Sequence, residues 1–259
     1  MNDQDLIQYS RHLLLDEFSE EIQQKLANSK ILIVGAGGLG SSASLFLAAS
    51  GIGKISVADG DKVDLTNLQR QIVHNFERIG KNKAISAKQT LQKINPKIEI
   101  VAVDKRLSAE NLALLETLIS QNDCVVDCCD NFETRYLIND LAMKHQKILV
   151  SGAAIKFVGQ LTTFDFRSKN GGKKFACYNC LFPQEAENLE EIKCSLMGVF
   201  SPLVGIVGSY QAAETIKILG GVGENLVGKM LQINLLTNQL KIFKYRHESG
   251  CQICKKYQK

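Results

Sequence analysis

The sequence predicts an α/β fold: a doubly wound, mostly parallel sheet that is extended by antiparallel strands. Short apolar runs rich in β-branched residues, beginning with residues 30–34, alternate with helical segments in the first half of the chain, as buried parallel strands do. A glycine-rich turn follows the first of these runs. After residue 154 a period-two pattern begins, which is typical of antiparallel strands. Ahead of the first run, residues 3–29 carry apolar residues at helical spacing, and we expect two amphipathic helices there.

The glycine-rich turn has the sequence GAGGLG and leads into a helix of small residues. A second strand then ends in Asp59, about 20 residues after the turn. Glycines let backbone N–H groups approach a phosphate, a helix amino end attracts its charge, and an acid at this spacing holds a ribose hydroxyl. A purely structural turn with a solvated acid is the alternative. The pattern favours a Rossmann-like nucleotide site, without specifying the nucleotide, at Gly35, Gly37, Gly38, Gly40 and Asp59.

A polar loop over residues 60–71 follows, longer than a plain strand-to-helix link requires. Asn67 and Arg70 lie three residues apart, so in one helical turn they share a face, and Arg70 could fork onto phosphate oxygens. Lys81 and Lys83 open the next helix, where their charge opposes the helix dipole unless an anion binds there. Solvated surface side chains are the alternative for both Arg70 and Lys83.

The fourth predicted strand ends in an acid and an amide, Asp130 and Asn131. Asp130 has two interpretations that can coexist. With Glu133 three residues later, it could form a capping box for the next helix. At the carboxyl end of a parallel strand, it could also hold Mg²⁺ on phosphates.

Composition excludes several classes of protein. The chain has 259 residues, of which 45% are hydrophobic and 22% charged, as in ordinary globular proteins. Its net charge of +4 is small and evenly spread, which argues against nucleic acid as a partner. No stretch is long and apolar enough to span a membrane and the amino terminus is acidic, so we expect a cytoplasmic protein. In that compartment eight cysteines favour metal or redox chemistry over disulfides.

Two Cys-x-x-Cys pairs lie far apart in the sequence, one at Cys177 and Cys180 and the other at Cys251 and Cys254. Two such pairs in a cytoplasmic chain indicate one tetrahedral thiolate zinc site, with His247 as an alternative ligand that is not needed. Protein ligands would fill all four positions, so the predicted zinc is structural. It would staple the C-terminal tail to the loop around residue 177.

The combined motifs resemble the MoeB/ThiF adenylyltransferase family, relatives of ubiquitin-activating enzymes that act on small sulfur-carrier proteins. The motifs that carry the resemblance are GAGGLG at 35–40, Asp59, NLQRQ at 67–71, Lys83, DCCDN at 127–131 and the paired cysteines. The resemblance covers essentially the whole chain. It implies ATP rather than NAD as the nucleotide. It further implies that the C-terminal Gly-Gly carboxylate of a ubiquitin-like carrier attacks the α-phosphate, giving an acyl-adenylate and pyrophosphate.

The resemblance also implies a role for individual residues. Gly38 would be a close backbone neighbour of the nucleotide within the glycine loop, Asp59 would hold the ribose, and Asn131 would lie beside the nucleotide. Arg11 resembles an arginine that family homodimers insert into the neighbouring subunit's ATP site. Phosphate binding would fall to Asn67, Arg70 and Lys83, and Mg²⁺ binding to Asp130. Cations and Mg²⁺ would then offset the charge that grows on the phosphates, and the ionised carrier carboxylate would need no general base.

Cys194 falls where thiamine-pathway relatives have a reactive cysteine. A role in sulfur transfer after adenylation, with Lys193 favouring the thiolate, stands beside the alternative of a spare thiol in a loop. Some relatives carry a C-terminal rhodanese domain that donates sulfur. Because this chain stops just after Cys254, we expect a separate sulfur donor, a cysteine desulfurase or a rhodanese.

The sequence is compatible with three functions. The first is activation of a sulfur carrier of the molybdopterin (MoaD) or thiamine (ThiS) type; the first six residues favour the thiamine branch and residues 151–156 the molybdopterin branch. The second is a tRNA-modifying relative that adenylates a small carboxylate, although such relatives generally lack the zinc cysteines. The third is an NAD-binding oxidoreductase or sensor, which would leave Arg70, Lys83 and Asp130 without a shared purpose.

We expect a single adenylation domain over residues 1–259, since α/β domains of this size are commonly single units. Its predicted parts are the N-terminal helices at 1–29, the nucleotide-binding half at 30–154, and a half at 155–259 that binds the carrier and holds zinc.

Overall fold

A computed structural model describes residues 1–167, 175–184 and 197–257. Its strands are β1 (Lys30–Val34), β2 (Lys54–Ala58), β3 (Glu99–Val103), β4 (Cys124–Asp127), β5 (Ile148–Ile155), β6 (Val158–Asp165), β7 (Lys229–Asn234) and β8 (Gln239–Lys244). They form one sheet in the order β3-β2-β1-β4-β5-β6-β7-β8. The pairs from β3 to β5 are parallel, and those from β5 to β8 are antiparallel. The predicted fold class is therefore confirmed.

The helices are α1 (Asp3–Gln8), α2 (Ser10–Leu13), α3 (Glu20–Asn28), α4 (Gly38–Ala49), α5 (Lys83–Ile94), α6 (Leu112–Ser120), α7 (Phe132–Lys144), α8 (Tyr178–Leu181), α9 (Ser201–Gly220) and α10 (Gln252–Tyr257). Short 3₁₀ turns occur at Leu65–Asn67, Phe76–Arg78 and Ala109–Asn111. Across the described ranges, no helix has both the length and the hydropathy needed to cross a membrane.

Both faces of the sheet are buried, as a doubly wound fold requires. Along β1, Ile31 and Ile33 pack on the side of α4, α5 and α9, whereas Leu32 and Val34 pack on the side of α6 and α7. Small residues bring α9 close to α4: a Cβ at Gly208 would lie 2.3 Å from the carbonyl oxygen of Leu39. The long apolar run of α9 therefore serves as a core helix against the site-bearing half of the sheet.

Several predicted helices differ from the observed ones at their ends. The segment 3–29 contains three helices rather than two, because α1 ends at the C-cap Tyr9 and α2 is a single turn. Helix α5 begins at Lys83 behind the N-cap Asn82, so Lys81 lies outside it and only Lys83 opposes the dipole. A 3₁₀ turn at Ala109–Asn111 leads directly into α6, and α8 is a single turn after Cys177.

The sheet order creates a crevice between β1 and β4. From β1 the chain runs through β2 to β3 on one side, and then returns to the other side for β4 and β5. Val34, the last residue of β1, lies opposite both Ala58 of β2 and Asp127 of β4. The loops after these three strands thus leave the sheet at one level, where doubly wound folds bind their ligands.

Candidate active site and candidate metal centre

The glycine loop joins β1 to α4 at this crevice. Gly35 has a φ of +98°, and a Cβ there would lie 2.7 Å from the carbonyl oxygen of Cys128. A Cβ at Gly40 would lie 1.9 Å from the carbonyl oxygen of Gly35, and one at Gly38 would lie 2.8 Å from Val204 of α9. At Gly37 an added Cβ would meet only Gln71, at 3.6 Å. Packing within the protein therefore favours glycine at three of the four predicted positions, whereas a Cβ at Gly37 would make only an ordinary van der Waals contact.

Asp59 follows β2 and lies beside the glycine loop. Its Oδ2 accepts the N–H of Ala36 at 2.7 Å and its Oδ1 accepts the N–H of Asp61 at 2.8 Å. Burial raises the pKa of this carboxyl group, while Lys83 and the two N–H donors act in the opposite direction. Each carboxylate oxygen keeps a second lone pair that could accept a ribose hydroxyl.

The predicted phosphate contacts Asn67 and Arg70 share one turn of the loop. The backbone carbonyl of Asn67 accepts the N–H of Arg70 at 3.0 Å, and the Arg70 guanidinium donates to the carbonyl of Thr66 at 3.1 Å. Within the described residues Arg70 has no ion-pair partner. Its remaining N–H donors are available to an anion.

Lys83 is nearly buried in the first turn of α5, with its Nζ 3.1 Å from Oδ2 of the exposed Asp61. Asp61 lies two residues after Asp59, so this ion pair holds the amine at the carboxyl end of β2. The lysine thus lies beside the crevice, where its charge is balanced by the exposed Asp61.

Asp130 lies in the loop between β4 and α7 with its side chain exposed, and in the described part of the chain no hydrogen bond or ion pair occupies its carboxylate. The capping interpretation of Asp130 is wrong. The N-cap of α7 is Asn131, whose Oδ1 accepts the N–H of Thr134 at 2.9 Å. Among the described residues, Asp130 is therefore unpaired beside the crevice, and the side-chain N–H donors of Asn131 have no acceptor.

Arg11 lies on the exposed surface of α2, away from this crevice. The neighbouring Tyr9 packs at the carboxyl end of α4, where a Cβ at Gly51 would lie 2.5 Å from its hydroxyl. The glycine loop is at the other end of that helix, about 18 Å away at 1.5 Å per residue. Arg11 does not approach the crevice of its own chain. Cys194 lies outside the described residues.

A buried ionic network beneath the crevice was not predicted from the sequence. The Oδ2 of Asp127 accepts the hydroxyl of Ser151 at 2.7 Å and lies 3.2 Å from the guanidinium of Arg135. Arg135 also donates to the carbonyl oxygens of Cys129, at 2.5 Å, and Gly152, at 2.7 Å. Burial is the largest single influence and opposes its charge, but Asp127 together with smaller contributions from neighbouring groups raises the pKa of Arg135. One side chain thus ties the loop that carries Asp130 to β4 and β5.

The signal for this network was an acid in an apolar strand. Asp127 is the last residue of the buried run CVVD, and a buried carboxylate requires a cation or hydrogen-bond donors. The sequence could have predicted that Asp127 needs a buried partner, but not that Arg135 is that partner.

The four predicted zinc ligands form one cluster. Their Sγ atoms all lie within 4.8 Å of one another, and the closest pairs are 3.5–3.8 Å apart. Four Zn–S bonds of about 2.3 Å place tetrahedral sulfur atoms about 3.8 Å apart, which matches the closest pairs of this cluster. N–H groups of Glu248 and Cys254 point at Sγ atoms, each at 3.5 Å, which suits thiolates. His247 does not belong to the cluster.

Comparisons with known proteins agree with the motifs. The ThiF family profile matches residues 9–253. The chain belongs to the ThiF family. This confirms the predicted resemblance, and the fold and crevice described above are those of a ThiF family member.

Two Escherichia coli K12 relatives match the ThiF family chain over nearly its whole length. Molybdopterin-synthase adenylyltransferase is 39% identical over 254 residues, covering 98% of this chain and 98% of the relative. Sulfur carrier protein ThiS adenylyltransferase is also 39% identical, covering 98% and 97%. A maize relative, adenylyltransferase and sulfurtransferase MOCS3-1, is 43% identical, and the chain spans only 52% of its length.

The fold is also similar to that of a more distant protein of known structure. Escherichia coli MccB with AMPCPP and MccA gives a TM-score of 0.81 at 25% identity, covering 98% of this chain and 75% of that one.

Proposed function

We propose that the chain is an ATP-dependent adenylyltransferase that activates the C-terminal Gly-Gly carboxylate of a ubiquitin-like sulfur-carrier protein as an acyl-adenylate. The observation that carries this proposal is that Lys83 and the loops that carry Arg70 and Asp130 lie at the same edge of the sheet as the glycine loop, where no described residue pairs with Asp130. Full-length relatives named as adenylyltransferases and a fold neighbour solved with AMPCPP support it.

The proposed reaction needs positioning and charge rather than a base. A carboxylate oxygen of the carrier bonds to the α-phosphorus of ATP as the bond to pyrophosphate breaks, and the leaving group carries away the negative charge. Arg70 and Lys83 would hold phosphate oxygens and Asp59 the ribose, while the N–H groups of the glycine loop face the same anion. The carboxylate of Asp130 is a suitable oxygen ligand for Mg²⁺, which when bound would offset phosphate charge.

The carrier tail would enter by a narrow cleft on the sheet. This cleft is lined by Phe182, Met230, Ser151 and Arg135, and Arg135 also donates to the carbonyl oxygen of Cys129 in the loop that carries Asp130. A Gly-Gly tail has no side chains to exclude it from so narrow a passage, which favours a carrier of this kind over a bulkier peptide.

We propose a homodimer in which Arg11 acts in the partner's site. Large apolar side chains are exposed on the loop that carries Arg70 and on the N-terminal helices, as expected of a surface that a second copy covers. They include Leu65, Ile72 and Phe76 on the loop, and Ile7 and Leu14 near Arg11.

A mixing experiment tests the homodimer. Arg11→Ala and Asp130→Asn proteins should each be inactive, and subunit exchange between them should restore about a quarter of the wild-type activity, because half of the dimers then hold one intact site. No recovery after exchange, monitored by mass spectrometry of tagged subunits, would contradict action in trans.

We also propose that the four-cysteine cluster holds a structural zinc ion and that the protein is cytoplasmic. The cysteines of the described residues are all free, as in a reducing compartment. Zinc would join the short helix α8 to α10 and complete the core around Tyr178.

The single-domain organisation is supported by one sheet that runs through both halves of the chain. A separate sulfur donor, a cysteine desulfurase or a rhodanese, remains part of this proposal.

The test is ATP–pyrophosphate exchange with purified protein and each of two carriers, of the MoaD and ThiS types. Exchange should appear with a carrier that ends in Gly-Gly and disappear when the final glycine is deleted. Because the two Escherichia coli relatives are equally similar to this chain, the ratio of kcat/KM for the two carriers assigns the branch. Exchange with neither carrier, while ATP binds, would contradict the proposed substrate.

A further inference from the structure

A buried histidine connects three of the segments that form the nucleotide crevice. His74 follows the Arg70 turn and is almost completely buried. Its Nε2 lies 2.9 Å from the carbonyl oxygen of Ala36 in the glycine loop. Its Nδ1 lies 2.8 Å from the hydroxyl of Ser86, one turn after Lys83 in α5. No other side chain in the described ranges makes hydrogen bonds to both the glycine loop and α5.

The partners determine which nitrogen carries the proton. A carbonyl oxygen only accepts, so Nε2 must donate to Ala36. Burial, together with the nearby charges of Lys83 and Arg78, lowers the pKa of His74 to about 4, so the ring is neutral at physiological pH. Nδ1 is then an acceptor and the hydroxyl of Ser86 donates to it.

Holding the Ala36 carbonyl also orients the next N–H group. In a trans peptide the C=O of Ala36 and the N–H of Gly37 point in opposite directions, so the hydrogen bond from His74 turns the Gly37 N–H away from the core. This N–H has no acceptor in the described part of the chain, and Gly37 is partly exposed. The N–H of Ala36 itself is bound by Asp59. Side chains therefore fix both backbone groups of Ala36, and the next backbone donor along the loop, at Gly37, is left without an acceptor among the described residues.

We propose that His74 is a positioning residue for the nucleotide phosphates: its imidazole fixes the Ala36–Gly37 peptide so that the Gly37 N–H faces the crevice, and holds that peptide in register with the helix that carries Lys83. This inference rests on the proposed ATP site. In this inference His74 sets the distance between the N–H of Gly37 and the amine of Lys83, which would both bind the same triphosphate.

The variants His74→Leu, His74→Gln and Thr90→Val test it. Leucine fills the space but cannot donate, whereas the amide N–H₂ of glutamine can reach the position of Nε2 and donate to Ala36. Thr90→Val removes the bond from Thr90 to the carbonyl of Val73, which also ties this loop to α5 but does not touch the glycine loop. It is the matched control for a purely structural effect.

In ATP–pyrophosphate exchange at saturating carrier, His74→Leu should lower kcat/KM for ATP by between about tenfold and 100-fold, while KM for the carrier stays unchanged. His74→Gln should recover most of this loss. Thr90→Val should lower the melting temperature and leave kcat/KM for ATP within about twofold of wild type.

Three results would overturn the inference: wild-type kcat/KM in a folded His74→Leu protein, a loss in Thr90→Val equal to that in His74→Leu, or no recovery in His74→Gln. If His74→Leu does not fold, His74→Asn replaces it, because asparagine is too short to reach Ala36. Equal kinetics of the Asn and Gln variants then overturn the inference.

Arg70→Ala and Lys83→Ala in the same assay separate this inference from the proposed ATP site. If Arg70→Ala and Lys83→Ala both keep full exchange, the proposed ATP site and the role of His74 are both wrong. If both variants lose exchange while His74→Leu keeps it, only the role of His74 is wrong.

Discussion

Replacing Asp130 by asparagine should separate catalysis from stability. The side chain of Asp130 is exposed and unpaired within the described residues, and Asn131 rather than Asp130 caps α7. Asparagine has nearly the same shape, so the free energy of unfolding should change by less than about 0.5 kcal/mol. For a chain of this size that corresponds to a change in melting temperature of less than about 2 °C.

The same substitution removes the charge that would bind Mg²⁺ on the phosphates. Losing one such electrostatic contact typically costs a factor of about 10²–10³, or about 3–4 kcal/mol of transition-state stabilisation. ATP–pyrophosphate exchange with a Gly-Gly carrier should therefore fall to near background. Titration with Mg²⁺ should not restore it at concentrations that saturate the wild-type protein.

Asn131→Ala is the matched control for stability. It removes the hydrogen bond to the N–H of Thr134, and loss of an N-cap costs about 1 kcal/mol, or about 2–4 °C. An Asp130→Asn protein that unfolds like Asn131→Ala, or that keeps more than about a tenth of the wild-type exchange, would refute the assignment of Asp130 as the Mg²⁺ ligand.

Three further predictions concern stability. Removing zinc with a chelator, or the substitution Cys251→Ser, should lower the melting temperature by about 5 °C or more before it affects exchange, and full stability of the metal-free protein would rule out a zinc staple. Arg135→Met leaves Asp127 buried without its cation and should cost about 3–5 kcal/mol in urea unfolding; a cost below about 1 kcal/mol contradicts the ionic network. Because the pKa of His74 is lowered to about 4, the unfolded state binds its proton first as the pH falls below about 6.5. The free energy of unfolding should therefore decrease between about pH 6.5 and 4, and a His74→Gln protein with the same slope would show that another group is responsible.

Motifs that are local in the sequence were predicted well. The glycine loop lies between a strand and a helix, and each Cys-x-x-Cys pair brings two thiols together within one turn. Lys83 was identified because its charge is unfavourable at a helix start, and the ion pair with Asp61 now explains how the charge is balanced there.

Choices between neighbouring residues were harder to predict. Asp130 and Asn131 are both good N-caps, and only the path of the chain after β4 decides which of them faces the first turn of α7. In the same way, α5 begins at Lys83, two residues after the predicted start at Lys81.

By itself, the sequence determined the fold class and the family and predicted residues for the candidate site, because strand and helix periodicity and short motifs depend on neighbours along the chain. Tertiary structure decided which distant residues meet. His74 contacts Ala36 across 38 residues, and Cys177 contacts Cys251 across 74. Such pairs follow from strand order and register, which bring the loops after β1, β2 and β4 to one level of the sheet. No local pattern encodes that order, since each strand would look the same in another position of the sheet.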